Sequence, residues 1–267
     1  METFTARTHR SRASRGAVMA SLALTLALAC SSEPTPVAQA SGADEGPPSS
    51  RKLLRSMTDY LQAQQAFSFH IETTFEVFDL GQKLQFAGNA DVLVRRPDRM
   101  AIDYRDDLSA RRVWYNGSHL TLVDPRTNVY ASAKAKSNLE DTLDQMESLY
   151  GLVMPVSDLL GGDAYSLIAS QTIGASYVGL HQVAGTACHH LAFAGESTDL
   201  QLWIRDGDSP APCKLVVDYK DEPGRPEYVV VLTDWEFGAK LADSRFEPEI
   251  PDGARRIEFL EIEEARR

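Results

Sequence analysis

The chain has 267 residues, 43% of them hydrophobic, and a formal net charge of −11, with 38 Asp and Glu against 27 Lys and Arg. That length supports one domain or a large all-β unit with a sizeable core. An acidic body argues against nucleic acid as a partner and against adsorption to anionic headgroups, but leaves lipid tails open as ligands.

The first element is a leader. METFTARTHRSRASRG sets Arg7, Arg10, Arg12 and Arg15 against Glu2, and the run AVMASLALTLALA then leads to Cys30. A basic n-region, a short apolar h-region and a small residue before the cut predict a secretory signal over residues 1–29. The run is too short for a permanent span, which needs on the order of 20 residues. Leu26-Ala27-Leu28-Ala29-Cys30 resembles the bacterial lipobox, where the cysteine is diacylglycerylated and becomes the first residue; Ala27 and Leu28 depart from its commonest form. The expectation is a lipoprotein lipidated at Cys30 and attached to the membrane by that N-terminal anchor. Ser31, standing where an Asp would retain the protein at the inner membrane, directs it to the outer membrane, facing the periplasm. The alternative is a soluble periplasmic protein cut near Ala29. Residues 30–49, rich in Ser, Pro, Ala and Gly, cannot bury enough surface to fold and read as a flexible tether. One domain is expected over residues 50–267.

Ser49 and Ser50 can cap a helix in which Leu53, Leu54, Met57, Tyr60 and Leu61 share a face. The period then changes to two. Phe69, Ile71, Thr73, Phe75 and Val77 alternate with polar residues, and Leu84, Phe86, Gly88, Ala90, Val92 and Val94 alternate back after Gly81. Pro97-Asp98 precedes a strand with Met100, Ile102 and Tyr104. Val113–Tyr115 and Leu120–Val123 flank Asn116-Gly117, a hairpin signature, and Asn128–Ala131 follows as a short strand. From Ser137 a helix aligns Leu139, Leu143, Met146 and Leu149 and stops at Gly151; a second short piece, Val156–Leu160, stops at Gly161-Gly162. Strands resume at Ala175–Leu180, Cys188–Phe193, Leu200–Arg205, Lys214–Tyr219 and Tyr228–Phe237. The fold class is mainly β: a curved antiparallel sheet or half-open β-barrel with a helical lid on its apolar face.

With Cys30 lipidated, Cys188 and Cys213 remain as an even pair in an oxidising compartment. One reading is a disulfide; the other is two separate half-buried thiols. If the strands around them form a meander, the cysteines flank a third strand. Two strand spacings, about 9.6 Å, are too far for a bridge unless the middle strand has already ended.

The motifs of catalysis are missing. His189-His190 lie adjacent on a strand, so their imidazoles face opposite ways and do not readily share a metal ion. Asp141, Asp144 and Glu147 read as the wet face of a helix, and Glu72 and Glu76 as the polar face of a strand. There is no G-x-S-x-G turn, no H-E-x-x-H and no P-loop. Neither an enzyme, a metal nor a cofactor is expected.

Val92-Leu93-Val94-Arg95-Arg96-Pro97-Asp98-Arg99-Met100 resembles a strand–turn–strand passage of the LolA-type lipoprotein carriers. Asn116-Gly117…Leu122-Val123-Asp124-Pro125 resembles their next hairpin, and Phe246-Glu247-Pro248…Pro251-Asp252-Gly253-Ala254 their closing segment. The sequence is more similar still to a large bacterial family of predicted periplasmic proteins of unknown function. Thr121–Tyr130, Tyr150-Gly151-Leu152, Asp158-Leu159-Leu160, Cys188–Phe193 and Gln201–Ile204 carry that likeness. The resemblance spans about residues 50–260 and implies a LolA-like half-open barrel with a helical lid, but no established activity.

Two functions are then expected from the apolar face. Phe69, Ile71, Phe75, Phe86, Val92, Met100 and Ile102, with Met57 and Met146 from the covering helices, either line a cavity for an acyl chain, lipid or lipidated segment or pack as an ordinary core. A packed core would point instead to an envelope sensor or scaffold that presents a surface to a protein partner.

Overall fold

The computed structural model describes residues 49–152, 156–160 and 163–261. The expected signal peptide, the lipidation site Cys30, nearly all of the tether and the Gly161-Gly162 stop lie outside them. The described residues open with helix α1 (Ser50–Ala63), which buries Leu54, Met57, Thr58 and Leu61 along one face. Ser49 occupies its N-cap position, but its hydroxyl makes no capping bond. Six strands follow: β1 (Ala66–Asp79), β2 (Gln82–Arg95), β3 (Arg99–Asp106), β4 (Ala110–Tyr115), β5 (His119–Asp124) and β6 (Val129–Lys134). At the β4–β5 turn, the Asn116 N–H donates to the His119 carbonyl (3.2 Å). The two-residue loop is therefore Gly117-Ser118, one place later than the dipeptide suggests, with Gly117 at φ 87°.

Helix α2 (Leu139–Tyr150) is set at both ends by its sequence. The Asn138 side chain accepts from the Asp141 N–H, and Gly151 takes the left-handed conformation that closes the last turn. Two short helices come next, α3 (Ser157–Leu160) and α4 (Ala164–Gln171). The second half supplies β7 (Thr172–Val183), β8 (Thr186–Gly195), β9 (Thr198–Arg205), β10 (Pro212–Tyr219) and β11 (Glu227–Phe237). A 3-10 turn (Asp243–Phe246) and the two-residue β12 (Arg255–Arg256) complete the described elements.

The strands make one twelve-stranded sheet in the order β12-β6-β5-β4-β3-β2-β1-β11-β10-β9-β8-β7. Every pairing is antiparallel except β12 with β6. The two halves join where β11 returns beside β1, with Thr73 opposite Val230 and Phe75 opposite Tyr228. The inner face carries the main core: Phe67, Phe69 and Ile71 of β1, Val92 and Val94 of β2 and Met100 and Ile102 of β3 pack with Leu54, Met57, Leu143 and Met146 of the helices. The outer face of the first half is closed by the tail. Phe246 packs on Ala101, Trp114 and Val123, while Arg95 holds the Leu241 carbonyl (2.7 Å) and the Asp243 carboxylate.

Cys188 and Cys213 are disulfide-bonded, with Cα atoms 6.8 Å apart. A flat meander would separate them by about 9.6 Å. Cys188, however, lies opposite Arg205, the last residue of β9, and Cys213 falls where the β9–β10 register shifts between Pro212 and Lys214. The strand end and the bulge let the outer strands approach.

Candidate functional site

The inner face is not filled along its whole length. A cavity of about 500 Å³ lies between the sheet and α3 and α4. Its floor comes from both halves: Ile102, Val113 and Leu122 on one side, Phe193, Leu200, Leu215 and Val217 on the other. Its roof is Leu152, Val156, Leu159, Leu167 and Ile168. Strand alternation accounts for this lining, since Phe193, Leu215 and Val113 share their strands' inner faces with core residues. The walls are mostly apolar, with polar groups at restricted positions, as in cavities that hold small apolar molecules.

The polar groups are specific. The Tyr104 hydroxyl donates to Asp106 Oδ2 (2.7 Å), as does the Ser109 hydroxyl (3.2 Å). The other carboxylate oxygen accepts from the Leu108 N–H (2.7 Å) and the Ser109 N–H. Burial, followed by the bond to Asp106, holds the Tyr104 phenol well above its ordinary range. Burial also pushes Tyr228 up to about 12, with Tyr219 and Asp106 adding to the effect. Both phenols stay neutral donors at any physiological pH. Arg111 of β4, opposite Tyr104, also lines the cavity, as do Gln171 and Thr172, where α4 meets β7.

Of the residues expected to line a cavity, Ile102 alone does so. Phe69, Ile71, Val92 and Met100 are in the close-packed core with Met57 and Met146, all of them buried. The reason is packing: Met57 of α1 and Met146 of α2 join the same core cluster as these strand residues, so no space is left beside them. Phe75 and Phe86 are cross-strand partners on the same face, with ring centroids 5.5 Å apart, but they are only half-buried. Strand β3 ends at Asp106 opposite Gly88, so no third strand flanks Phe86. Sequence reasoning missed Phe193, Leu200, Leu215, Val217 and Tyr228. The signal available was the same alternation, read on the second-half strands.

The two adjacent histidines have separate partners. His189 bonds the Tyr177 hydroxyl (3.1 Å) and Asp206 (3.0 Å). His190 stacks on Trp203 with centroids 3.9 Å apart and bonds Gln201 (3.0 Å); burial lowers its pKa. Glu76 pairs with Lys83 (2.8 Å) and Glu72 contacts the His70 imidazole (3.2 Å), so those two strand carboxylates are engaged with different partners.

The fold and site define a half-open β-barrel with an apolar cavity under helices. Residues 50–260 match the family model described as "Predicted periplasmic protein (DUF2092)", and the chain belongs to that family. Among curated proteins, none matches the sequence. Solved structures similar to this chain include an uncharacterized conserved protein from Thermus thermophilus (9% identity, TM-score 0.46, covering 78% of this chain and 98% of the other). LprF from Mycobacterium bovis is another (15%, 0.46, 78% and 100%), as is a LolA superfamily protein from Nitrosomonas europaea (10%, 0.36, 74% and 97%).

Proposed function

We propose that this chain is a cell-envelope lipoprotein, anchored at Cys30 and facing the periplasm from the outer membrane, whose half-barrel binds and carries a single acyl chain. The observation that carries the reading is the apolar cavity of about 500 Å³ beneath α3 and α4. At roughly 30 Å³ for a water-sized group in a liquid, that space holds on the order of sixteen methylene-sized groups, which is one chain rather than two. Each buried methylene favours the bound state by about 0.8 kcal/mol, so transfer needs no covalent chemistry. Release needs only that the roof of α3 and α4 move.

Native mass spectrometry with lipid extraction, on the chain isolated from bacterial envelopes, tests this. One acyl species per chain is expected, lost in a still-folded Val217→Glu variant. A clean apo mass with no uptake of added fatty acid would sink the carrier reading. The same spectra test the anchor, through a diacylglyceryl mass that Cys30→Ser removes.

A second reading, a scaffold for a protein partner, has one observation in its favour. Strand β7 stands at the end of the sheet, paired only with β8 among the described residues, and exposes Ile173 (77%), Val178 (49%) and Leu180 (51%). Such an edge accepts an extended segment of a partner chain.

A further inference from the structure

The described lining of the cavity contains one carboxylate and one cation, and the fold treats them differently. Asp106 is saturated. Two backbone N–H groups and two hydroxyls, those of Tyr104 and Ser109, donate to it, so its acceptor sites are taken up in holding the β3–β4 turn. Arg111 has no hydrogen-bond, ion-pair or ring partner among the described residues. Its sequence neighbour Arg112, on the opposite face of β4, does: Nε lies 3.2 Å from Asp103 and Nη1 4.0 Å from Glu249. Across the sheet Arg105 also reaches Asp103 (3.5 Å). Arg111 is half-buried, shares the inner face with Val113 and Tyr115, and stands opposite Tyr104.

A half-buried guanidinium on a mostly apolar wall, with no paired counter-charge among the described residues, is costly. Its planar fork fits a carboxylate or phosphate better than any neutral group. We infer that Arg111 anchors the head of the ligand, and that the cavity takes a single-chain amphiphile with an anionic head. The tail lies among Phe193, Leu200, Leu215 and Val217, and the carboxylate or phosphate pairs with Arg111. This rests on the acyl-carrier reading and adds head-group selection to it. The negative charge of the whole chain, −11, repels anions at long range, so selection for one has to come from a local cation.

Isothermal titration of the Cys30→Ser chain, which lacks the proposed lipid anchor and can be purified without detergent and delipidated, with decanoate, decyl phosphate and decanol tests the assignment. Both anions are expected to bind more tightly than the alcohol. Arg111→Gln should weaken them about tenfold or more and leave decanol unchanged, which also shows that the variant is folded; Arg111→Lys should restore part of the loss. Tighter binding of decanoate identifies a fatty-acid head, and tighter binding of decyl phosphate a lysophospholipid-like one. Equal binding of all three by wild type and Arg111→Gln overturns the head-group assignment while the acyl cavity stands. If none of the three binds, the carrier reading fails with it.

Discussion

Breaking the disulfide isolates what holds the second half of the sheet, β8 to β10, together. Cys188 and Cys213 are 25 residues apart, and a cross-link closing a loop of that length removes denatured-chain entropy worth about 3.5 kcal/mol at 25 °C. Both sulfurs are buried, at 0% and 5% exposure, against Trp203 and Val216. Replacing both cysteines with alanine therefore leaves a small void as well, roughly 1 kcal/mol more. The expected total is a loss of about 4.5 kcal/mol in Cys188→Ala/Cys213→Ala, a large share of a typical domain's 5–15 kcal/mol. Urea unfolding followed by tryptophan fluorescence measures it, Trp203 reporting from beside the bridge. Each single variant should lose nearly as much as the double, because either change cuts the same link. Burial adds a second expectation: a thiol reductant should leave the native protein oxidised until urea opens it. A double variant within about 1 kcal/mol of wild type would refute the argument, since the loop would then already be constrained by other means.

Met57→Ala, at a fully buried site in the core rather than the cavity, should cost about 2–5 kcal/mol by calorimetry without changing ligand uptake. Asp106→Ala removes the acceptor of four donors at the cavity rim; a loss of about 2–3 kcal/mol is expected, with hydrogen exchange at Leu108 and Ser109 rising first. His70 sits between Asp91 (2.7 Å) and Glu72, and its bond to Asp91 leads in raising its pKa against partial burial. A raised folded-state pKa contributes stability that is complete below the unfolded value, near 6.5, and fades as pH rises through the folded one. Stability measured from acid to alkaline pH should therefore fall by up to about 1 kcal/mol across that window, and His70→Gln should remove the slope.

Much of the scaffold is written locally. The alternation from Phe69 to Val94 and the Gly151 end of α2 each follow from a few neighbouring residues, and the structure keeps them; the hairpin expected at Asn116-Gly117 turns one place later, and the helix expected from Ser137 is capped by Asn138. Helix α4 was not legible. Its eight residues run straight into β7 with no apolar stripe, and Ala164 is its only buried residue; the one local signal is the Asp163 cap, whose side chain accepts from the Ser166 N–H, and sequence reasoning missed it. The two-residue pairing of β12 with β6 is likewise a product of the tail's path, with no pattern of its own.

The cavity was illegible for a related reason. Alternation shows which residues face inward, but whether a given inward residue meets a helix or a void depends on which strands the helices cover. That depends in turn on a pairing as distant as His70 with Thr233. The apolar residues of β1 to β3 therefore looked like the best lining and became the best-packed core, while the void fell beside Phe193 and Leu215. Arg111 is the sharpest case. In the sequence Arg111-Arg112 is a pair of like neighbours, and nothing local distinguishes them. Pleating turns them to opposite faces: Asp103 and Glu249 lie against Arg112, whereas Arg111 faces the cavity with no ion-pair partner among the described residues. The selectivity argued for the site thus comes from an asymmetry that exists only once the sheet has formed.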